Sequence, residues 1–348
     1  MKNINVVIWG FGAMGRGMAD MLLNKKGVTI TGVCDLHSEL IGKSIFHILS
    51  RTKGGHPDVL VSDDIDRLLD KDTCDIVLLA TDSFTKKAFP KMKKVLEQGI
   101  NCISTAEEMA YPKAQDPDLA EELDQIAKAN GVTVLGTGIN PGFIMDLLVI
   151  ALSGTMERVD HIEANRVNSL SPFGPAVMEE QGVGITVEQF VKGVREGTLA
   201  GHVGFAESVR MIADAIGVEL SDFKQQMKPI ITSVDRKSKY GEAKKGNVAG
   251  VNMTGQGFVD GKVFIDMKHP QQIEPEMEGT HTGDYITIKG VPEVNMAITP
   301  EIDGGIGTIA VCVNMIPHVL NARPGLKTMI DLPVPRAILG DMRDLLED

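Results

Sequence analysis

The sequence predicts an α/β protein in parts: an amino-terminal doubly wound parallel sheet over residues 1–145, then an α+β domain with a mixed or antiparallel sheet over 146–303. A helix and tail over 304–348 are expected to return to the first part. Three observations carry this reading. The apolar, β-favouring run Ile4–Trp9 passes straight into Gly10-Phe11-Gly12-Ala13-Met14-Gly15 and then into a helix-forming segment, 16–24. Apolar runs then alternate with helical periodicity as far as Gly136, the pattern of a parallel sheet. Beyond Asp146 the pattern changes to long strands, two of them joined by Asp260-Gly261, a strong two-residue hairpin signal.

Each glycine of the first motif has a physical reason. The first permits a sharp turn, the second lets backbone approach a pyrophosphate, and the third lets helix and strand pack closely. The helix that follows aims unsatisfied N–H groups and a positive dipole end at the phosphates. A second apolar run, Val28–Cys34, leads into Asp35, about twenty residues after Gly15, where a carboxylate accepts hydrogen bonds from an adenosine ribose. A glycine triplet alone says little. Strand, turn, helix and acidic residue together read as a Rossmann dinucleotide cradle.

Composition bounds the rest. At 348 residues the chain exceeds the size at which one core stops growing, about 250 to 300 residues. Hydrophobic residues at 43% and charged residues at 24% are ordinary globular usage. A net charge of −12 disfavours phosphate-rich polymers and anionic membranes and tolerates a cationic small molecule, so neither nucleic acid nor membrane is expected as a partner. The cysteines Cys34, Cys74, Cys102 and Cys312 lack metal-ligand or disulfide spacing, so no metal is expected and the thiols read as small buried groups in a reducing compartment. The amino terminus has no signal core, and no apolar run approaches about 18 residues; a cytoplasmic protein is expected.

Element by element, the pattern predicts a helix over 39–50, a short strand at 58–61, a helix at 65–69 and a buried strand at 74–80. A helix at 85–98 is closed by Gly99, and Asn101–Ser104 forms a strand. A helix at 116–130 has Asp116 as its cap and Pro117 in its first turn, and a strand at 132–136 follows. The second part reads as a helix at 146–153 capped by Asp146, a strand at 160–168, a polar loop at 169–184, and helices at 186–196 and 205–216. Strands follow at 247–259, 262–269, 283–289 and 294–299, then a helix at 308–321.

In a doubly wound sheet the ligand lies beyond the carboxyl ends of the strands, here Gly10, Asp35, Thr81, Thr105 and Thr137. The candidate coenzyme residues are therefore Gly10, Phe11, Gly12, Ala13, Met14, Gly15, Asp35, Ala80, Thr81, Asp82, Thr105, Ala106, Asn140 and Pro141. Asp35 favours NAD over NADP, while His37 and Lys43 nearby keep dual use open. Such a domain joined to an unrelated one usually means hydride transfer. Glu107 and Glu108 follow a buried strand on the nicotinamide side, where a carboxylate binds an ammonium or acts as base; the competing reading is an acidic turn that complements a helix dipole. His202, among glycines before a helix, is a candidate proton carrier or else a surface loop residue. His269 and His318 read as core or surface residues, and Arg166, Arg195 and Arg210 are unranked candidates to hold a carboxylate.

Gly10 to Gly15, Ser104-Thr105-Ala106-Glu107-Glu108, Gly138-Ile139-Asn140-Pro141-Gly142-Phe143, Gly201-His202-Val203-Gly204-Phe205, Asn314-Met315-Ile316-Pro317-His318 and Asp331-Leu332-Pro333 together resemble the 2,4-diaminopentanoate dehydrogenases. These are relatives of the dihydrodipicolinate reductases and diaminopimelate dehydrogenases, and the resemblance covers essentially the whole chain. It implies oxidative deamination of a diamino acid, 2,4-diaminopentanoate, at C4 to 2-amino-4-oxopentanoate and ammonia, in ornithine fermentation. Glu107, Glu108 and His202 are its candidate catalytic residues. The reductases' paired-histidine and Lys-x-Asp signature is absent, and homoserine dehydrogenases carry Asn-Lys where Glu107-Glu108 stand. A homo-oligomer, dimer or larger, is expected. The alternatives are another oxidoreductase acting on a small amino acid or cyclic imine, and an NAD-sensing protein without turnover.

Overall fold

The computed structural model describes residues 2–347. It divides into two compact units, one made of the chain up to Phe143 together with the chain from Asp303 on, the other of Ile144–Ile302.

In the first unit, β1 (Ile4–Trp9) leads through the glycine turn into α1 (Ala13–Leu22) and β2 (Val28–Cys34). A helical turn, α2 (Ile45–Ile48), and a two-residue β3 (Val61–Ser62) follow, then β4 (Ile76–Leu79), α3 (Thr85–Glu97), β5 (Asn101–Ser104), α4 (Pro117–Ala129) and β6 (Thr133–Gly136). β4 and β6 are buried at every position, as apolar strands covered on both faces must be. Gly99 and Gly131, at φ 71° and 69°, end their helices in the left-handed conformation that glycine adopts at no steric cost.

Three expectations fail here, wholly or in part, for local reasons. The helix over 39–50 shrinks to α2 because Gly42 N and Lys43 O pair with Val61 instead, at 2.8 and 3.0 Å. The segment 65–69 makes a single turn, with Leu68 and Leu69 both bonded back to Ile65 O. Asp116 holds the N-cap position of α4 as expected, but its side chain makes no capping bond; the carboxylate pairs with Lys86 at 3.1 Å.

The second unit opens with α5 (Leu147–Ser153), where Asp146 Oδ1 accepts from Leu147 N at 2.6 Å as a cap. β7 (Arg158–Ser169), α6 (Pro175–Glu180), α7 (Val187–Glu196), α8 (Phe205–Ile216) and β8 (Asp222–Ile231) follow. A ribbon of β9 (Arg236–Lys237) and β10 (Glu242–Ala243) precedes the long strands β11 (Val248–Val259), β12 (Lys262–Gln272), β13 (Gly283–Val291) and β14 (Val294–Ile298). The six-stranded order is β14-β13-β7-β12-β11-β8, antiparallel except between β7 and β12. Asp260 and Gly261 both take positive φ, 50° and 74°, as a tight hairpin between β11 and β12 demands. α6 lies inside the expected loop 169–184. β8 was not expected: its polar sequence and Pro229 suit only the edge of a sheet, which is where it lies.

Along β7 burial alternates, placing Ile162, Ala164, Arg166 and Asn168 on the covered face. Register sets Asp284 opposite Arg166, and His269 opposite Met253, which in turn faces Met227. α8 covers part of this face: a Cβ on Gly255 would lie 2.5 Å from Phe205, so glycine is required for that approach.

Back in the first unit, α9 (Gly304–Asn314), capped by Asp303, and α10 (Ile316–Leu320) replace the single expected helix over 308–321. Pro317 lies in the first turn of α10, where a missing N–H costs nothing. A three-residue β15 (Gly325–Lys327) then pairs with β6, giving a seven-stranded parallel sheet ordered β15-β6-β5-β4-β1-β2-β3. Among the described residues, no helix is long and apolar enough to cross a membrane.

Candidate active site

The glycine turn divides its labour as its residue types require. Gly10 sits at φ +96°, and a Cβ there would come within 2.5 Å of Ala80 O; at Gly15 it would lie 1.9 Å from Gly10 O. At Gly12 a Cβ would meet nothing within 4 Å, so this side of the turn is open to a ligand. Ala13 and Met14 begin α1, and no side chain caps that helix end. An open glycine flank beside an uncapped helix N-terminus is the geometry a pyrophosphate needs. Asp35 is tied to the same loop, its two oxygens accepting from Phe11 N at 2.6 Å and His37 N at 2.8 Å. Arg16 Nε holds Phe11 O at 2.9 Å.

The neighbouring strands deliver the other candidates to the same end of the sheet. Ala80 N continues the pairing with Trp9 O at 2.8 Å, and past it Thr81 and Asp82 join Lys91 in a small network, with Lys91 Nζ 2.6 Å from Asp82. Partial burial pushes the Asp82 carboxyl up, but the hydrogen bonds and charge of Lys91 with the Thr81 hydroxyl hold it below the usual range. Thr105 N bonds Leu79 O, and Ala106 N bonds Ser104 Oγ at 3.1 Å. After β6, Asn140-Pro141 stands in a loop held from α9: Thr308 Oγ1 accepts from Ile139 N at 3.1 Å, and Cys312 Sγ lies 3.6 Å from Thr137 O.

Glu107 and Glu108 open a short 3₁₀ turn, Glu107–Ala110, and both are half-buried. Glu108 is fixed on both carboxylate oxygens: Oε2 accepts from Thr85 N at 2.7 Å, and Gln115 Nε2 reaches Oε1 at 3.3 Å. Its own N–H donates to Ser83 O at 3.2 Å. The carboxylate therefore sits at the amino end of α3, where the dipole favours its charge. Thr85, Gln115, Lys91 and Thr308 were not among the expected site residues, and nothing in their local sequence distinguishes them.

His202 belongs to the second unit. Its N–H lies 2.8 Å from Met253 Sδ, and its ring meets the rings of His269 and Phe205 edge-on, with centroids 4.6 and 5.8 Å away. Burial and then the Arg166 charge lower its pKa to about 3. Burial, His202 and Arg166 likewise hold His269 well below the usual imidazole value. Both shifts favour the neutral imidazole, which runs against a proton carrier that titrates near neutrality. His269 Nε2 pairs with Asn168 Oδ1 at 2.9 Å, and because that oxygen only accepts, Nε2 carries the hydrogen.

None of the three arginines stands ready for a carboxylate. Arg166, 2% exposed, spends its charge on Asp284 and its other terminal nitrogen on Ile302 O. Arg210 pairs with Asp214 on the outer side of α8, and Arg195 is exposed at the end of α7. His318, in α10, is buried, and burial followed by the Arg336 charge lowers its pKa. All four cysteines are free and buried, and burial raises their thiols: Cys34 to about 11, Cys74 and Cys312 to about 12.

The chain's likeness to known proteins agrees with this arrangement. A family model described as the 2,4-diaminopentanoate dehydrogenase C-terminal domain matches residues 143–348. The sequence is 62% identical to 2,4-diaminopentanoate dehydrogenase of Acetoanaerobium sticklandii over 349 residues, covering 100% of this chain and 98% of that protein. It is 23% identical to an amine dehydrogenase of Streptomyces virginiae over 96% of this chain and 98% of the other. The solved amine dehydrogenase of Mycobacterium smegmatis matches with a TM-score of 0.85 at 28% identity, over 97% of this chain and 98% of that one. Fold, cradle and relatives define an NAD(P)-dependent amino acid dehydrogenase. Within that class the chain belongs to the 2,4-diaminopentanoate dehydrogenase family.

Proposed function

We propose that the protein oxidatively deaminates 2,4-diaminopentanoate at C4, giving 2-amino-4-oxopentanoate and ammonia, with Glu108 as the residue that handles the reacting amine. The observation that carries this is the anchoring of the Glu108 carboxylate by Thr85 N and Gln115 Nε2 at the carboxyl end of β5, in the unit that holds the glycine cradle. Gly10 to Gly15 with the start of α1 would hold the pyrophosphate, Asp35 the adenosine ribose, and Ala80, Thr81, Asp82, Thr105, Ala106, Asn140 and Pro141 the remaining coenzyme. When bound, the coenzyme supplies a nicotinamide ring able to accept a hydride.

The chain's own part is proton chemistry and charge. An alkylammonium cannot give up hydride from its carbon until it has lost a proton, so a fixed carboxylate first takes that proton. As the substrate becomes an iminium, the same carboxylate, with Glu107 adjacent, offsets the developing positive charge. Water then adds to the iminium carbon, and ammonia leaves as the carbonyl forms. His202, held neutral, serves as a hydrogen-bonding ring.

Asp35 supports NAD as the preferred coenzyme, because its carboxylate, tied to Phe11 N and His37 N, would repel a ribose 2′-phosphate. We place the reaction in ornithine fermentation, in the cytoplasm, and the enzyme as a homo-oligomer. We assign coenzyme binding to residues 1–145, substrate binding to 146–303, and support of the coenzyme loops to 304–348.

The test is spectrophotometric. Purified protein given 2,4-diaminopentanoate should reduce NAD with equimolar release of ammonia. Absence of reduction with either NAD or NADP refutes the assignment.

A further inference from the structure

Arg16 stands where a cation is out of place. It is the fourth residue of α1, in the first turn, where the helix dipole disfavours positive charge, and no acidic residue in that turn offsets it. Side chains on a helix lean back toward its amino end, and this one does: Arg16 Nε donates to Phe11 O in the glycine turn at 2.9 Å. That bond uses Nε alone. Among the described residues the two terminal nitrogens, Nη1 and Nη2, have no hydrogen-bond or ion-pair partner.

Carboxylates are not scarce in a chain with 47 acidic residues against 35 basic ones, and one is close at hand. Phe11 N donates to Asp35 Oδ2 at 2.6 Å, so a single residue of the turn is held by Asp35 through its N–H and by Arg16 through its carbonyl. Arg16 and Asp35 nevertheless form no ion pair; the Asp35 oxygens accept from Phe11 N and His37 N instead. Anion and cation are each anchored to backbone and not to one another. Next to them the Gly12 flank is open, and no side chain caps the start of α1. A guanidinium fork with both terminal nitrogens open, beside backbone N–H groups that also lack an acceptor, suits a phosphate.

We infer that Arg16 is a phosphate ligand of the coenzyme, its Nη1 and Nη2 donating to phosphate oxygens while Nε keeps the fork on Phe11 O. The inference rests on the reading of this turn as the coenzyme cradle and adds a charged side chain to it. Two phosphates have this chemistry: the pyrophosphate common to NAD and NADP, and the 2′-phosphate found only in NADP. Asp35 opposes the second by its charge, so the pyrophosphate is the expected source.

The readout is binding, not turnover. NADH and NADPH are titrated into the full chain by nicotinamide fluorescence, and ADP-ribose and adenosine by competition with NADH. Arg16→Gln keeps a side-chain N–H for Phe11 O and removes the charge. It should weaken NADH, NADPH and ADP-ribose roughly ten- to a hundredfold, the loss of a hydrogen bond to a charged group, and leave adenosine within about twofold. Arg16→Lys, which keeps the charge without the planar fork, should recover part of that loss. Melting of the unliganded variants should not fall, because Arg16 is exposed and its charge opposes the dipole. A loss confined to NADPH would also support a phosphate ligand and would identify the 2′-phosphate. If Arg16 only braces the turn, the shared anchor at Phe11 carries the disturbance to Asp35 and so to the ribose, and adenosine weakens with the rest. That result, or no change for any ligand, would overturn the inference while the cradle stands. A wild-type chain that binds none of the four would end the coenzyme reading, and the inference with it.

Discussion

The backbone N–H of Thr85, the first residue of α3, donates to Glu108 Oε2 at 2.7 Å. One carboxylate thus caps a helix from a neighbouring element, and the helix end in turn stabilises its charge. A capping role and a catalytic role make different demands on this side chain, and they can be told apart.

Glu108→Gln retains an oxygen that can accept from Thr85 N but loses the negative charge and the basicity. A residue that only caps should tolerate this change. A base for the substrate ammonium should not: kcat is expected to fall about 10²- to 10⁴-fold, the usual contribution of general base catalysis. Coenzyme affinity, measured by fluorescence titration, should stay within about twofold. A kcat that stays within about threefold, or that falls only in step with coenzyme affinity, would tell against a catalytic role.

Gly12 and Gly15 lie three residues apart in one motif, yet their substitutions should fail differently. A Cβ at Gly12 meets nothing within 4 Å, whereas one at Gly15 would lie 1.9 Å from Gly10 O. Gly12→Ala should therefore fold with nearly unchanged thermal stability while weakening coenzyme binding at least tenfold. Gly15→Ala should lower stability as well, because backbone must move. Thermal melting with and without NAD separates the two outcomes.

Asp35 holds the glycine loop through Phe11 N and also opposes a 2′-phosphate. Asp35→Asn keeps an acceptor for one of those N–H groups and removes the charge. The ratio of kcat/KM with NAD to that with NADP should drop roughly ten- to a hundredfold, a range set by one charged contact. An unchanged ratio would place coenzyme choice elsewhere.

The parts of this site that could be read from sequence are those encoded locally. The strand, glycines, helix and Asp35 lie in one continuous stretch, and the Asp260-Gly261 hairpin is two residues long, so their signals survive without tertiary knowledge. β15 escaped because three residues carry no periodicity, and β8 because an edge strand can be polar. The partners of Glu108 and His202 escaped for a different reason: Thr85, Gln115, Met253 and His269 are brought there by packing and sheet register. A histidine in a glycine-rich loop looks the same in sequence whether its ring is wet or, as here, desolvated beside Arg166.

That desolvation has a measurable sign. His202 has its pKa lowered to about 3 from an ordinary value of 6.5, first by burial and then by Arg166, and His269 is lowered for the same reasons and by His202. A group whose folded pKa lies below its unfolded one contributes stability that is present above the unfolded value, here above pH 6.5, and is lost as pH falls toward the folded value. The unfolded chain takes up protons that the folded imidazoles refuse. The denaturant midpoint should therefore fall as pH drops from 6.5 toward 4, and His269→Gln, which keeps a side-chain N–H for Asn168 Oδ1, should flatten that fall. The activity profile should show no imidazole limb between about pH 5.5 and 7.5, since neither ring changes charge there. A histidine-labelled sample in which both resonances titrate near pH 6.5 would contradict the neutral pair.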